Sequence, residues 1–181
     1  MGTFILGKLS FEAALMLYFA ATLIGFIALM RVSRGLLKAM FFLTGVGFLF
    51  HSVNILYRYA AGSQIPVSIP HDAASVFAWC VVLLFFVLEL RYRIGVMGSF
   101  IIPVAFLIML ASSMFPSDIK PLSPVLQSNW LGIHTLLAFL GNAAFAMAFG
   151  TGIMYLVQEH YVKSKRLGGL FELLPSLQTL D

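Results

Sequence analysis

Four histidines and one cysteine are the residues of this 181-residue chain best suited to bind a metal. The single cysteine excludes an internal disulfide, a CxxC redox pair and a CxxCH motif. Cys80 lies inside an apolar run, where a small packing residue is expected. The sequence also contains no HExxH, no DxDxDG and no glycine-rich phosphate-binding pattern. Histidines are therefore the candidate metal ligands.

His51 lies within an apolar run, where an ionisable side chain is costly and usually faces protein or water. His51, Asn54 and Arg58 follow one another at i, i+3 and i+7, so they share one face of a helix. Two interpretations stay open. The face could form an interhelical hydrogen-bond cluster that fixes packing, at about 0.6 kcal/mol per bond. It could instead form an iron or proton site in which Arg58 binds an anion.

His134 lies four residues into another apolar run, one helical turn after Trp130. The helix face that continues from it contains mostly small residues, namely Ala138, Gly141, Phe145, Ala148 and Gly152. Small residues allow a neighbouring helix to approach closely, and they can equally leave room for a flat ligand. His71 lies in a predicted loop, and His160, beside Glu159, is expected to be a solvated tail residue.

The composition predicts an integral membrane protein. Hydrophobic residues make up 61% of the chain and charged residues only 10%, with a mean hydropathy of +0.99. Soluble domains are close to half apolar and a quarter charged. The formal net charge of +4 does not indicate a nucleic-acid partner, because the basic residues flank apolar runs, as expected near membrane lipid.

Five apolar runs of 18 to 27 residues are each long enough, or nearly so, to cross about 30 Å of hydrocarbon. Backbone polar groups cannot stay unpaired in lipid, so these runs are predicted to be helices. The predicted fold is an all-α, polytopic membrane helix bundle. A membrane domain at 1–160 is followed by a cytoplasmic tail or link at 161–181. The predicted spans are Phe11–Met30, Ala39–Tyr57, Ala73–Leu90, Ile94–Phe115 and Leu131–Val157.

Lysine and arginine predict the orientation in the membrane. One set of loops and flanks holds eight of them, namely Arg31, Arg34, Lys38, Arg91, Arg93, Lys163, Lys165 and Arg166. The opposite set holds three, namely Lys8, Arg58 and Lys120. The positive-inside rule therefore places the N-terminus outside and the C-terminus in the cytoplasm. His51, His71 and His134 would then lie towards the outer side.

Several strings resemble the CcsA/ResC-type (system II, CcsB-type) cytochrome c assembly family. The stretch "PVLQSNWLGIHTLLAFLGNAAFAMAFGTGIMYLVQE" resembles a family string, PALQS.WL..H, that opens a transmembrane helix. The stretches "FHSVNILYRYAAGSQIP", "SVFAWCVVLLFFVLELRYRIGVMGSFIIP" and "LPSLQTLD" are similar to further family patterns. The likeness covers nearly the whole chain after about residue 40, and it is most specific around His134.

This resemblance implies a protein of the bacterial plasma (inner) membrane that handles haem in cytochrome c maturation. A transiently held, b-type haem would be presented at the outer face for attachment to apocytochrome c. A ResB-type membrane protein would be its partner, and the chain could belong to a haem-attachment complex. By this resemblance His134 matches an outer haem-ligand histidine, with Trp130 beside it. His51 matches a histidine that is common in the family's second helix.

Arg58 lies about 10 Å along the helix axis from His51, so we expect it to reach a propionate of a haem bound near that histidine. His71 stands in "PHDAASVFAW", where this chain departs from the family pattern, and is either incidental or an added outer ligand. The family's second outer histidine and its tryptophan-rich WWD segment lie further downstream than residue 181. We therefore expect an N-terminal fragment rather than a short, divergent member.

Two other functions stay open at this point. The first is a cytochrome b or quinone-site anchor subunit, in which His51 and His134 ligate one haem. The second is a non-catalytic assembly or regulatory membrane protein similar to HemX. The chain contains no plausible pair of nucleophile and general base, so no catalytic residue is predicted.

Overall fold

The computed structural model describes residues 2–62, 69–118, 129–165 and 168–180, and every regular element within them is helical. Five main helices are followed by a 3-10 turn at Gly169–Glu172 and a short helix, α6, at Leu177–Leu180. The predicted all-α class is confirmed. The main helices are α1 at Gly2–Arg31, α2 at Arg34–Gly62, α3 at Pro70–Tyr92, α4 at Gly98–Ser113 and α5 at Asn129–Lys163.

Four of these helices, α1, α2, α3 and α5, are long and apolar enough to cross a membrane. Helix α4 has 16 residues and contains Pro103, so it is about 24 Å long at the usual rise. That length is less than the roughly 30 Å of a hydrocarbon core. Large apolar side chains such as Met16, Phe42 and Leu156 are exposed around the bundle, as expected for a surface that faces lipid.

The helices extend beyond the apolar runs because polar residues continue the helical backbone at their ends. Helix α1 begins at Gly2 rather than near Phe11, and α2 continues to Gly62. The residue types at the entry to α3 explain where this helix begins. Ile69 is extended (φ −122°, ψ 153°), Pro70 opens the helix, and Asp72 lies in its first turn, where a carboxylate is favoured by the helix dipole.

Helices α1 to α4 form the core, and α5 packs on α3 and α4. Small residues allow close approach at two contacts. A Cβ atom on Gly47 of α2 would lie 2.9 Å from the ring of Tyr18 in α1. A Cβ atom on Gly150 of α5 would overlap the side chain of Ile101 in α4. The largest fully buried side chains include Tyr18, Met40, Phe85, Ile101 and Met109.

Because consecutive helices alternate in direction, charged residues divide between the two ends of the bundle. The end where α2 begins and α3 ends, called the basic end below, holds the described cations Arg31, Arg34, Lys38, Arg91, Arg93, Lys163 and Lys165. The other end, called the histidine end, holds Lys8, Arg58, His71 and His134. Arg166 and Lys120 lie outside the described residues. Which end faces the cytoplasm stays a prediction.

Candidate functional site

Five polar side chains from α2 and α3 are buried towards the histidine end of the bundle. We call them the buried polar cluster: His51, Asn54, Arg58, His71 and Asp72 are each at most 9% exposed. The predicted polar face of α2 therefore points into the protein. Asn54 donates from Nδ2 to the carbonyl oxygen of Gly7 at 2.8 Å, which ties α2 to the start of α1.

His51 uses both of its ring nitrogens in contacts with neighbouring helices. Nδ1 lies 3.3 Å from the hydroxyl oxygen of Tyr18 in α1, and Nε2 lies 3.0 Å from Oγ of Ser75 in α3. The side chain is fully buried. In this arrangement neither nitrogen offers a lone pair to an iron atom. The predicted role of His51 as an iron ligand stays a prediction, and it would require the hydrogen bond at the coordinating nitrogen to break.

Arg58 at the end of α2 forms a buried ion pair with Asp72 at the start of α3. Its Nη2 also donates to the carbonyl oxygen of Ser117 at 3.1 Å. A buried charge needs a partner of opposite sign, and Asp72 supplies it here. The predicted contact between Arg58 and a haem propionate is untested, but that anion would have to share the guanidinium with Asp72.

His71 connects the beginning of α3 to the end of α4. Its Nδ1 lies 2.9 Å from the carbonyl oxygen of Ser112, and the Ser112 hydroxyl donates to the carbonyl oxygen of His71 at 2.7 Å. The ring of Phe11 packs against the imidazole with centroids 4.8 Å apart. A cavity of about 320 Å³ lies beside this contact and is lined by Asn54, Arg58 and His71, among others.

His134 differs from His51 and His71 because its side chain is exposed. It lies near the beginning of α5, one turn after Trp130, whose side chain is 75% exposed. The predicted face beyond His134 is exposed along its whole length, at Ala138, Gly141, Phe145, Ala148 and Gly152. A Cβ atom added to Gly141 or Gly152 would meet no other atom within 4 Å.

We call this surface the α5 face: Trp130, His134, Ala138, Gly141, Phe145, Ala148 and Gly152. The opposite side of the helix is buried against α3 and α4 through Ala143, Met147 and Met154. The exposed side has no neighbour within the described residues. It combines an accessible imidazole, a large aromatic ring and a shallow apolar surface.

These properties fit one face of a haem group. An imidazole is a common axial ligand of haem iron, and the small residues leave the adjoining surface open to a flat macrocycle. Among the described residues, no three side chains of His, Cys, Asp or Glu come together in a way that could hold a bare metal ion. The described part of the chain therefore offers single histidines rather than a multidentate metal site.

Residues 68–181 match the family described as Cytochrome C assembly protein. The chain belongs to this family. The matched region contains His71, Trp130 and His134, whereas His51 and Arg58 precede it. With four helices that are long and apolar enough to span a bilayer, the chain is a multi-pass membrane protein.

Two kinds of curated relative are similar to the chain over different lengths. The protein HemX of Bacillus subtilis is 26% identical over 172 residues, which is 94% of this chain and 62% of HemX. HemX of Brevibacillus brevis is 24% identical, also over 94% of this chain and 63% of the relative. The cytochrome c biogenesis protein CcsA of Chlorella vulgaris is 30% identical over 115 residues, which is 61% of this chain and 36% of CcsA.

The chain therefore spans less than two thirds of the length of these relatives. No solved structure matches the chain.

Proposed function

We propose that this protein handles haem in cytochrome c maturation and that His134 is an axial ligand of the haem iron. The observation that supports this most directly is the exposure of His134 on the α5 face, within the region that matches the cytochrome c assembly family. His51 and His71, by contrast, are buried and engaged in hydrogen bonds.

Each part of the α5 face has a separate role in this proposal. The imidazole of His134 holds the iron, and Trp130 offers an aromatic surface at the exposed end of the helix. Ala138 and Gly141 have little or no side chain, so that the haem ring can approach the backbone of α5. The bound haem supplies a reactive vinyl-bearing macrocycle, and its redox potential depends on the axial ligand and on burial.

The proposed setting follows from the charge distribution. Seven described cations lie at the basic end and two at the histidine end, so the positive-inside rule favours a cytoplasmic basic end in a bacterial inner membrane. The α5 face would then present a b-type, transiently held haem on the outer side to apocytochrome c. The ResB-type membrane partner predicted from the resemblance is part of the same proposal.

The test uses His134→Ala and a matched control, His160→Ala, which removes another exposed histidine from the same helix near the basic end. We expect the purified His134→Ala variant to lose most of its haem Soret absorbance, because the iron loses its ligand. In cells that depend on this protein, covalently bound cytochrome c should fall together with it. The His160→Ala variant should keep both signals.

A second candidate function is that of a HemX-like assembly or regulatory membrane protein that does not attach haem. It is favoured by the HemX relatives, which align with 94% of this chain, whereas the CcsA of Chlorella vulgaris aligns with 61%. If this function is correct, the purified protein should contain no haem above background. Cytochrome c levels should then be the same with His134→Ala as with the unchanged chain.

The cytochrome b alternative, with His51 and His134 on one haem, gains no support from the geometry, because both nitrogens of His51 are already used.

A further inference from the structure

A pocket of about 590 Å³ lies at the basic end, between the beginning of α2, the end of α3 and the segment that follows α5. Three cationic side chains line it, namely Arg34, Lys38 and Arg93. Two carboxylates, Glu89 and Glu172, also line it. The pocket is at the opposite end of the bundle from the α5 face residue His134, so the cytochrome c proposal does not account for it.

The carboxylate of Glu89 is already used by the protein backbone. Both of its oxygens accept the N–H of Gly95, each at 2.9 Å. Gly95 and Arg93 have positive φ angles of 64° and 53°, which turn the chain sharply between α3 and α4. This turn brings the N–H of Gly95 to the Glu89 carboxylate, and no ion pair joins Glu89 to a cation among the described residues.

The three cations of the pocket have no carboxylate partner in the described part of the chain. The ion pairs there join Lys8 to Glu12, Arg58 to Asp72 and Lys163 to Glu159. The two lining carboxylates, Glu89 and Glu172, can offset at most two of the three positive charges, so an excess of positive charge remains. An excess of positive charge in a concave site favours an anionic ligand.

The remaining wall of the pocket is apolar. Leu37, Phe41 and Leu173 contribute to it, together with Leu90, which is 70% exposed on the outside of the bundle. Since Leu90 belongs to both surfaces, the pocket continues onto the surface expected to face lipid. A site with a cationic rim and an apolar wall open to the bilayer suits an amphiphile with an anionic head.

We propose that this pocket binds the phosphate headgroup of an anionic phospholipid, with the acyl chains lying past Leu90. Arginine forms paired hydrogen bonds with phosphate oxygens and lysine adds a point charge. Basic pockets between transmembrane helices on the cytoplasmic side are known to suit such headgroups. A zwitterionic phospholipid is disfavoured, because its ammonium group would approach the same three cations.

The test compares two triple variants that remove equal charge from the basic end. The pocket variant is Arg34→Gln/Lys38→Gln/Arg93→Gln. The control variant is Arg31→Gln/Arg91→Gln/Lys165→Gln, whose residues do not line the pocket. Native mass spectrometry of the purified full chain in neutral detergent measures binding of phosphatidylglycerol, phosphatidylcholine and glycerol 3-phosphate, and circular dichroism checks that each variant is folded.

We expect the unchanged chain and the control variant to prefer phosphatidylglycerol to phosphatidylcholine. The pocket variant should bind phosphatidylglycerol more weakly by roughly a hundredfold, because each of the three basic residues near anionic lipid contributes about fivefold. Its haem content should not change. If the triple variant does not fold, Lys38→Gln alone should weaken binding about fivefold, with Lys165→Gln as its control.

Three results would overturn the proposal. Equal losses of phosphatidylglycerol binding in the pocket and control variants would show a general effect of positive charge rather than a site. Competition by glycerol 3-phosphate as strong as that by phosphatidylglycerol would indicate a site for a water-soluble phosphate. A loss of haem without a loss of lipid in the pocket variant would assign the three cations to the haem carboxylates.

Discussion

The buried polar cluster and the α5 face both present histidine towards the same end of the bundle, yet their surroundings are opposite. In the cluster, His51 is 0% exposed and contacts two other helices. On the α5 face, His134 is exposed, one turn from a tryptophan that is 75% exposed. The same side chain is therefore a packing element in one place and an accessible imidazole in the other.

This difference gives a physical criterion for membrane histidines. An imidazole buried among helices must satisfy its own polar atoms, and those hydrogen bonds reduce its capacity to bind iron. An imidazole on a surface without neighbouring helices keeps a nitrogen available. The two regions should accordingly respond to mutation in different ways, with stability changing in the cluster and ligand binding on the α5 face.

The largest expected effect comes from breaking the ion pair of the cluster. Asp72→Ala leaves the Arg58 guanidinium buried without its counter-charge, which should lower the free energy of unfolding by about 3–5 kcal/mol. The measurement is unfolding in detergent micelles followed by circular dichroism. Glu12→Ala is the control, because Glu12 is half exposed and lies 3.9 Å from the more exposed Lys8, so its loss should cost less than about 1 kcal/mol.

A double variant tests the same ion pair by removing both of its charges. Arg58→Met/Asp72→Leu removes both charges together and should recover most of the stability that Asp72→Ala loses. If Asp72→Ala is as stable as Glu12→Ala, the pair does not hold α2 to α3 and this description of the cluster is wrong.

The next effect in size is expected for His51→Ala. The substitution leaves a cavity and removes the partner of the Tyr18 and Ser75 hydroxyls, so the unfolding free energy should fall by roughly 2–4 kcal/mol. The haem Soret band per folded molecule should not change. A variant that keeps full stability but loses the Soret band would instead support the predicted role of His51 as an iron ligand.

Glycine substitutions should produce the smallest changes, and these should be of opposite sign beside Tyr18, the partner of His51, and on the α5 face. Gly47→Ala places a methyl group 2.9 Å from the buried Tyr18 ring, so it should destabilise the chain by roughly 1–3 kcal/mol. Gly141→Ala meets no atom within 4 Å and should stabilise α5 by up to about 1 kcal/mol, through helix propensity. Gly141→Leu should also leave the fold intact, and it should lower haem binding by blocking the α5 face.

The five main helices could be predicted from the sequence, because an apolar run that crosses lipid must pair its own backbone polar groups and is therefore helical. The beginning of α3 could be predicted from Pro70 and Asp72. Apolar runs do not show how far a helix continues beyond them, and α1 begins at Gly2, nine residues before the predicted start at Phe11. The shared face of His51, Asn54 and Arg58 followed directly from their spacing.

The partners of that face could not be read from spacing, because they come from other helices. Tyr18 and Ser75 lie 33 and 24 residues from His51 in the sequence. One signal could have identified the ion pair: a cation on a buried face requires an anion, and Asp72 stands in the first turn of the next helix along the chain. The exposure of the α5 face is set by which helices pack beside α5, and the sequence does not show those neighbours.

Chemical rescue of His134→Gly tests whether the exposed imidazole of His134 binds the haem iron. Because the site is exposed, free imidazole should enter the space left by the side chain and restore the Soret band that the variant loses. His51→Gly serves as the control, since its buried position should show neither the loss nor the rescue. If His134→Gly binds as much haem as the unchanged chain, or if imidazole rescues only His51→Gly, His134 is not the ligand.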